Sequence, residues 1–66
     1  MTILLNGKKY EVREGMTLSS FIEEQGISKE GIAVAIDYKV IPKKQWDRVP
    51  LTENLEIMLI QAISGG

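Results

Sequence analysis

Apolar and polar residues alternate around Asn6-Gly7, apolar residues recur at helical spacing in a second stretch and run nearly unbroken in GIAVAID and LEIMLIQAI, and the segment before LEIMLIQAI has little period. The first stretch, TILLNGKKYEV, alternates on both sides of Asn6-Gly7. Asn-Gly is a strong two-residue hairpin signal, because a type I′ turn needs positive φ at both positions and these two residues tolerate it. That turn sets Leu5 opposite Lys8, Ile3 opposite Tyr10 and Met1 opposite Val12. Met1, Ile3, Leu5, Tyr10 and Val12 then share one face. Thr2, Lys9 and Glu11 take the other, with Leu4 as its apolar exception.

In EGMTLSSFIEEQGIS the period changes to three and four residues. Leu18, Phe21 and Ile22, followed by Gln25, define one helical stripe. Gly15 breaks the preceding strand, and Thr17 is placed to cap the helix by accepting from first-turn N–H groups. Gly26 suits the left-handed position that closes it. Glu23 and Glu24 lie at the end where the helix dipole disfavours them, so packing must hold this short helix.

GIAVAID reads as a third strand with Ile32, Val34 and Ile36 inward and Ala33 and Ala35 opposite. YKVIP returns as a short edge strand, where Pro42 fits because it has no N–H to donate. Asp37-Tyr38 is a poor turn between them, since tyrosine disfavours positive φ. KKQWDRVPLTEN has little periodicity and predicts an irregular connection anchored in the core by Trp46. LEIMLIQAI is the last strand, with Leu55, Ile57 and Leu59 toward the helix and Glu56, Met58, Ile60 and Ala62 away from it.

That outer face is unusual. A sheet covered on one side carries polar residues on the other, yet Met58, Ile60 and Ala62 are joined there by Leu4, Ala33 and Ala35. A contiguous apolar patch built from three strands predicts a docking surface, with Leu4, Met58, Ile60 and Ala62 as the partner-binding residues. Periodicity as a whole predicts an α+β domain, ordered β-β-α-β-(β)-β, with a mixed four- to five-stranded sheet and one helix packed on one face.

Composition narrows the chemistry. At 66 residues the chain holds one small domain, expected over residues 1–61, with 62–66 as a flexible Gly-Gly tail. It has no cysteine and no histidine, which removes thiol mechanisms, Cys/His metal sites and the usual acid–base partner of a serine nucleophile. No EF-hand-like acidic cluster is visible. Eight basic against nine acidic side chains, a net charge of −1, argue against nucleic-acid binding; the pairs Lys8-Lys9 and Lys43-Lys44 read as solvated surface. No signal peptide is visible, because Met1-Thr2-Ile3-Leu4-Leu5 lacks a charged n-region and soon meets Asn6-Gly7, and no apolar run approaches the ~20 residues a membrane span needs. A cytoplasmic location is expected. With side-chain catalysis improbable, the terminal carboxylate of Gly66 is the credible reactive group. Glycine at 65 and 66 lets enzyme walls approach the backbone closely, and Ala62 to Gly66 reach at most about 18 Å when extended.

Four stretches, ILLNGKKYEV, AVAID, VIPKKQW and IQAISGG, resemble the ThiS family, the small sulfur carriers of thiamin biosynthesis within the ubiquitin-like β-grasp superfamily. The resemblance covers most of the chain. Terminal Gly-Gly is shared by several carriers, whereas Ile41-Pro42 followed by Trp46 is more discriminating. Thr52-Glu53-Asn54 and Asp37-Tyr38 depart from common family turns. The resemblance implies a β-grasp fold with the last strand central beside the first, and a carrier in place of an enzyme. A ThiF-like adenylating enzyme would activate Gly66 with Mg-ATP, so the carrier itself binds no cofactor. Sulfur from a cysteine-desulfurase pathway would convert the adenylate to a thiocarboxylate, and a ThiG-like thiazole synthase would receive that sulfur. Ser64, Gly65 and Gly66 would enter the partners' active sites. A molybdopterin-synthase small subunit, a ubiquitin-like modifier, and a β-grasp binding module with an inert tail remain as alternatives.

Overall fold

A computed structural model of the chain describes residues 1–61. The expected hairpin is formed by β1 (Thr2–Leu5) and β2 (Lys8–Glu11). Its register is the one the turn dictates, with Leu5 opposite Lys8 and Ile3 opposite Tyr10. Asn6 and Gly7 both have positive φ, 52° and 83°, as a type I′ turn requires. On the outer face the Thr2 hydroxyl donates to Glu11 Oε1 at 2.6 Å.

The helix α1 (Leu18–Glu24) begins where Thr17 Oγ1 accepts from the Ser20 N–H at 3.2 Å. It ends in a paired carbonyl cap: Gly26 N–H donates to Glu23 O and Ile27 N–H to Ile22 O. That 5→2 and 6→1 pattern needs a left-handed residue after the last turn, and Gly26 supplies it at φ 71°. Leu18, Phe21 and Ile22 are buried. Gln25 is exposed, and the fourth buried position is Ser19. Lys29 reaches back to donate to Ser19 Oγ at 2.9 Å and Glu23 Oε1 at 2.8 Å.

β3 (Ile32–Ile36) and β4 (Lys39–Ile41) form a second hairpin. The intervening Asp37 and Tyr38 take φ of 57° and 64°, the same turn class as Asn6-Gly7 despite the steric cost to tyrosine. Ile36 pairs with Lys39 across it, so the ladder continues to the last residue on each side and leaves two residues to reverse the chain. The connection expected to be irregular is instead a 3₁₀ helix, Lys43–Arg48. Few of its residues face the core, so no apolar period betrays it. Trp46 is buried within it, and its indole N–H donates to Ile41 O at 2.9 Å. Leu18 N–H donates to Val49 O, and Leu51 N–H to Met16 O, which ties the following segment to the start of α1.

β5 (Glu56–Gln61) completes the sheet. Strand order is β2-β1-β5-β3-β4, with β5 parallel to β1 and antiparallel to β3. This mixed five-stranded sheet with one helix is the expected β-grasp fold. Ile3, Leu5, Val34 and Ile57 meet Leu18, Phe21, Ile22 and Trp46 in a single core. Tyr10 closes its margin, edge-on to Phe21 with ring centroids 5.6 Å apart.

Candidate functional site

The face of the sheet turned away from α1 is assembled by register. Met58 lies opposite Ala35 and Ile60 opposite Ala33 across the β3–β5 pair. Val40 lies opposite Ala35 on the other side. The small alanines form a shallow floor, with Ala35 buried at 5% exposure, and larger side chains stand on either side of it. Met58, Ile60 and Val40 are 43%, 50% and 67% exposed. Such a run of apolar surface exceeds what isolated exposed hydrophobes on a soluble sheet require.

Leu4 stands at its margin. It is half-buried and pairs with Glu56, beyond which Thr2, Lys9 and Glu11 make the hairpin polar. The patch is thus centred on β5, β3 and β4. Val40 belongs to it without having been foreseen; its signal was the alternation Lys39-Val40-Ile41, which reports a face only once the tight Asp37-Tyr38 turn fixes the register. Ala62 and the tail residues Ser64, Gly65 and Gly66 lie outside the described residues.

The approach to that tail is described. β3 flanks β5 as far as the pair Ile32–Gln61. On the other side the backbone ladder reaches only to the Asn6 N–H, which donates to Ile57 O at 2.9 Å. There the Asn6 side chain takes over: Leu59 N–H donates to Asn6 Oδ1 at 2.8 Å, and Asn6 Nδ2 donates to Leu59 O at 3.2 Å.

At the opposite end of the sheet a groove of about 430 Å³ runs between the Asp37-Tyr38 turn and residues 52–56. Tyr38 projects beside it, 89% exposed. The groove runs along the first half of β5 as far as Met58, where it meets the apolar outer face. The segment leading into β5 is tied to β1, with Asn54 N–H donating to Thr2 O and Thr2 N–H to Glu53 Oε2.

Among the described residues no group of three or more Asp, Glu, His or Cys is arranged to hold a metal ion. None of their helices is long and apolar enough to cross a membrane. Glu11 is held below its ordinary pKa, first by the Thr2 hydroxyl and then by the N-terminal ammonium. It sits on the exposed polar hairpin, bonded to the Thr2 hydroxyl and 3.7 Å from the N-terminal ammonium. What the described residues offer is an apolar face and a strand anchored on both sides that leads to the terminus.

Comparison with known proteins bears directly on this arrangement. The family model described as ThiS family matches residues 3–66. The sulfur carrier protein ThiS of Escherichia coli (strain K12) is 30% identical over 66 residues, covering 100% of both chains. A crystal structure of the thiamine biosynthesis protein ThiS from Geobacter metallireducens superposes with a TM-score of 0.84 over 100% of both chains, at 17% identity. At that identity the superposition speaks for the fold.

Proposed function

The chain belongs to the ThiS family, and from that premise we propose that it is a sulfur carrier that works through the Gly66 carboxylate. The observation that carries this reading is the extent of the match: family similarity runs through the final Ser64-Gly65-Gly66 and includes the residue that would react. A carboxylate is a poor acyl donor, and one of its oxygens must first become part of a leaving group. In the proposed sequence, a ThiF-like adenylating enzyme supplies Mg-ATP; the carboxylate attacks the α-phosphorus, pyrophosphate leaves, and an acyl adenylate forms. The terminal sulfur of a persulfide, charged by a cysteine desulfurase, then attacks the carbonyl and expels AMP. Thiol cleavage of the resulting S–S bond leaves the thiocarboxylate. A ThiG-like thiazole synthase takes that sulfur into the thiazole of thiamin, and the carboxylate is regenerated.

In this reading the carrier is a co-substrate and the enzymes supply the catalytic groups, including ATP and magnesium. Ser64, Gly65 and Gly66 enter the partners' active sites, where glycine leaves room at the backbone. The face bearing Met58, Ile60 and Val40, with Leu4 at its margin, docks on the partners together with Ala62. A cytoplasmic location accords with these partners. A chain with no cysteine offers no internal thiol to capture the activated carbonyl. The test is intact mass after incubation with a cognate adenylating enzyme, ATP and a persulfide donor. Replacement of one oxygen by sulfur at Gly66 is expected; an unchanged mass overturns the carrier reading. Transfer to thiazole synthase, and not to a molybdopterin precursor, separates the thiamin carrier from the molybdopterin-synthase alternative.

A further inference from the structure

We infer that Asn6 is a positioning residue for the C-terminal segment, its side-chain amide taking the place of a strand residue and fixing the line along which the chain leaves β5. In the parallel β1–β5 pair, Ile57 turns its backbone groups toward β1, and Leu55, just before β5, turns its carbonyl there while its N–H donates to Thr52 O. Leu55 O accepts from Leu4 N–H, and Ile57 O from Asn6 N–H. Leu59 is the next residue to present its groups on that side, but β1 has already reversed at Asn6-Gly7. Both groups of Leu59 are met by one side chain, Asn6 Oδ1 accepting and Asn6 Nδ2 donating.

A carboxamide has the donor and acceptor of a peptide unit on one planar group, so it can mimic the missing backbone. Asparagine also tolerates the left-handed φ of 52° that the turn imposes. Aspartate shares that tolerance but has no donor when ionised, and glycine has neither group. Position 6 therefore carries two requirements at once, of which only the turn is visible in the sequence.

The contact lies two residues before the end of β5 and seven before Gly66. Without it, β5 beyond Ile57 is held by β3 alone and can swing away on the β1 side. A reacting group misplaced by about 1 Å can lose about 100-fold in rate, so a looser exit from the sheet lowers the fraction of tails presented correctly to a partner. The inference rests on the carrier reading above, because it requires a reaction at the terminus.

The experiment compares wild type, Asn6→Gly and Ile3→Val in steady-state thiocarboxylate formation with the cognate adenylating enzyme, ATP and a persulfide donor. Asn6→Gly preserves the turn and removes both bonds to Leu59; Ile3→Val loosens the core without touching them. All three are assayed where Trp46 fluorescence shows them folded. Asn6→Gly is expected to lower kcat about ten-fold with KM within two-fold, since the docking face is intact, and to expose the Leu59 amide to hydrogen exchange. Ile3→Val is expected to keep wild-type kcat. An Asn6→Gly kcat equal to wild type, a loss confined to KM, or an equal loss in Ile3→Val overturns the positioning role. If wild type itself gains no sulfur, the carrier reading fails first and the inference falls with it.

Discussion

Ile57 and Met58 are neighbours on one strand and differ in almost every physical respect. Ile57 is 1% exposed and packs in the core beneath α1; Met58 is 43% exposed on the opposite face beside Ala35. Both are apolar, so hydropathy alone does not separate them. The pleat does, by sending consecutive side chains to opposite sides. The comparison teaches that one six-residue strand serves two purposes, one face holding the domain together and the other available to a partner.

Ile57→Ala should break the first half of that division. Emptying a fully buried aliphatic site costs about 2–5 kcal/mol, comparable with the whole stability of a domain this small. Urea unfolding followed by Trp46 fluorescence is expected to show the variant largely unfolded, whereas Met58→Ala should move the midpoint only slightly. Met58→Asp and Ile60→Asp test the other half. Each should keep the wild-type circular dichroism spectrum yet weaken binding to the proposed adenylating partner by about 2 kcal/mol, as removal of a central interface anchor does. Titration calorimetry measures it. Loss of the fold in either variant would reverse the assignment of the faces.

A smaller effect is expected at the sheet's second turn. Replacing Asp37-Tyr38 by Asn-Gly should stabilise the domain by about 1 kcal/mol, because non-glycine residues in the left-handed region carry about that much strain. An unchanged or lower unfolding midpoint would mean that Tyr38 makes a compensating contribution. The smallest effect concerns the polar end of the outer face. Thr2→Val removes the principal hydrogen bond that lowers the Glu11 pKa, so an NMR titration should show that pKa rising toward the ordinary value. Since the folded-state pKa is depressed, the interaction favours the fold above the unfolded-state pKa and is lost as pH falls through the folded one. Glu11 is fully exposed, and its effect on stability is correspondingly slight.

Much of this architecture is legible in the amino-acid order. Asn6-Gly7 fixes a register, Thr17 and Gly26 mark the ends of a helix, and alternation along β5 assigns both of its faces. These signals are local, so a few residues contain the whole cause. Others depend on distant parts of the chain. The 3₁₀ helix at Lys43–Arg48 is held by one buried indole and its bond to Ile41, which leaves no period to read. The turn at Asp37-Tyr38 is imposed by ladders on both sides, against the preference of its own residues. Val40 joins the outer face only through that turn. The bonds from Asn6 to Leu59 span most of the chain, and nothing near Asn6 announces them. The apolar outer face was thus largely visible in sequence through Met58 and Ile60, with Val40 added and Leu4 at its margin. Gly66 was singled out by the exclusion of other chemistry and by family resemblance.

The position of β5 has a consequence for how the protein is made. The hairpin β1–β2 and the hairpin β3–β4 do not pair with each other; β5 lies between them and joins both. During synthesis each hairpin leaves the ribosome before its common neighbour exists, and a two-stranded hairpin is at best marginally stable in water. The nascent chain therefore cannot complete its sheet until Glu56–Gln61 has emerged. Folding is deferred until β5 is available, and until then the residues of both sheet faces are exposed to whatever chaperones the nascent chain meets.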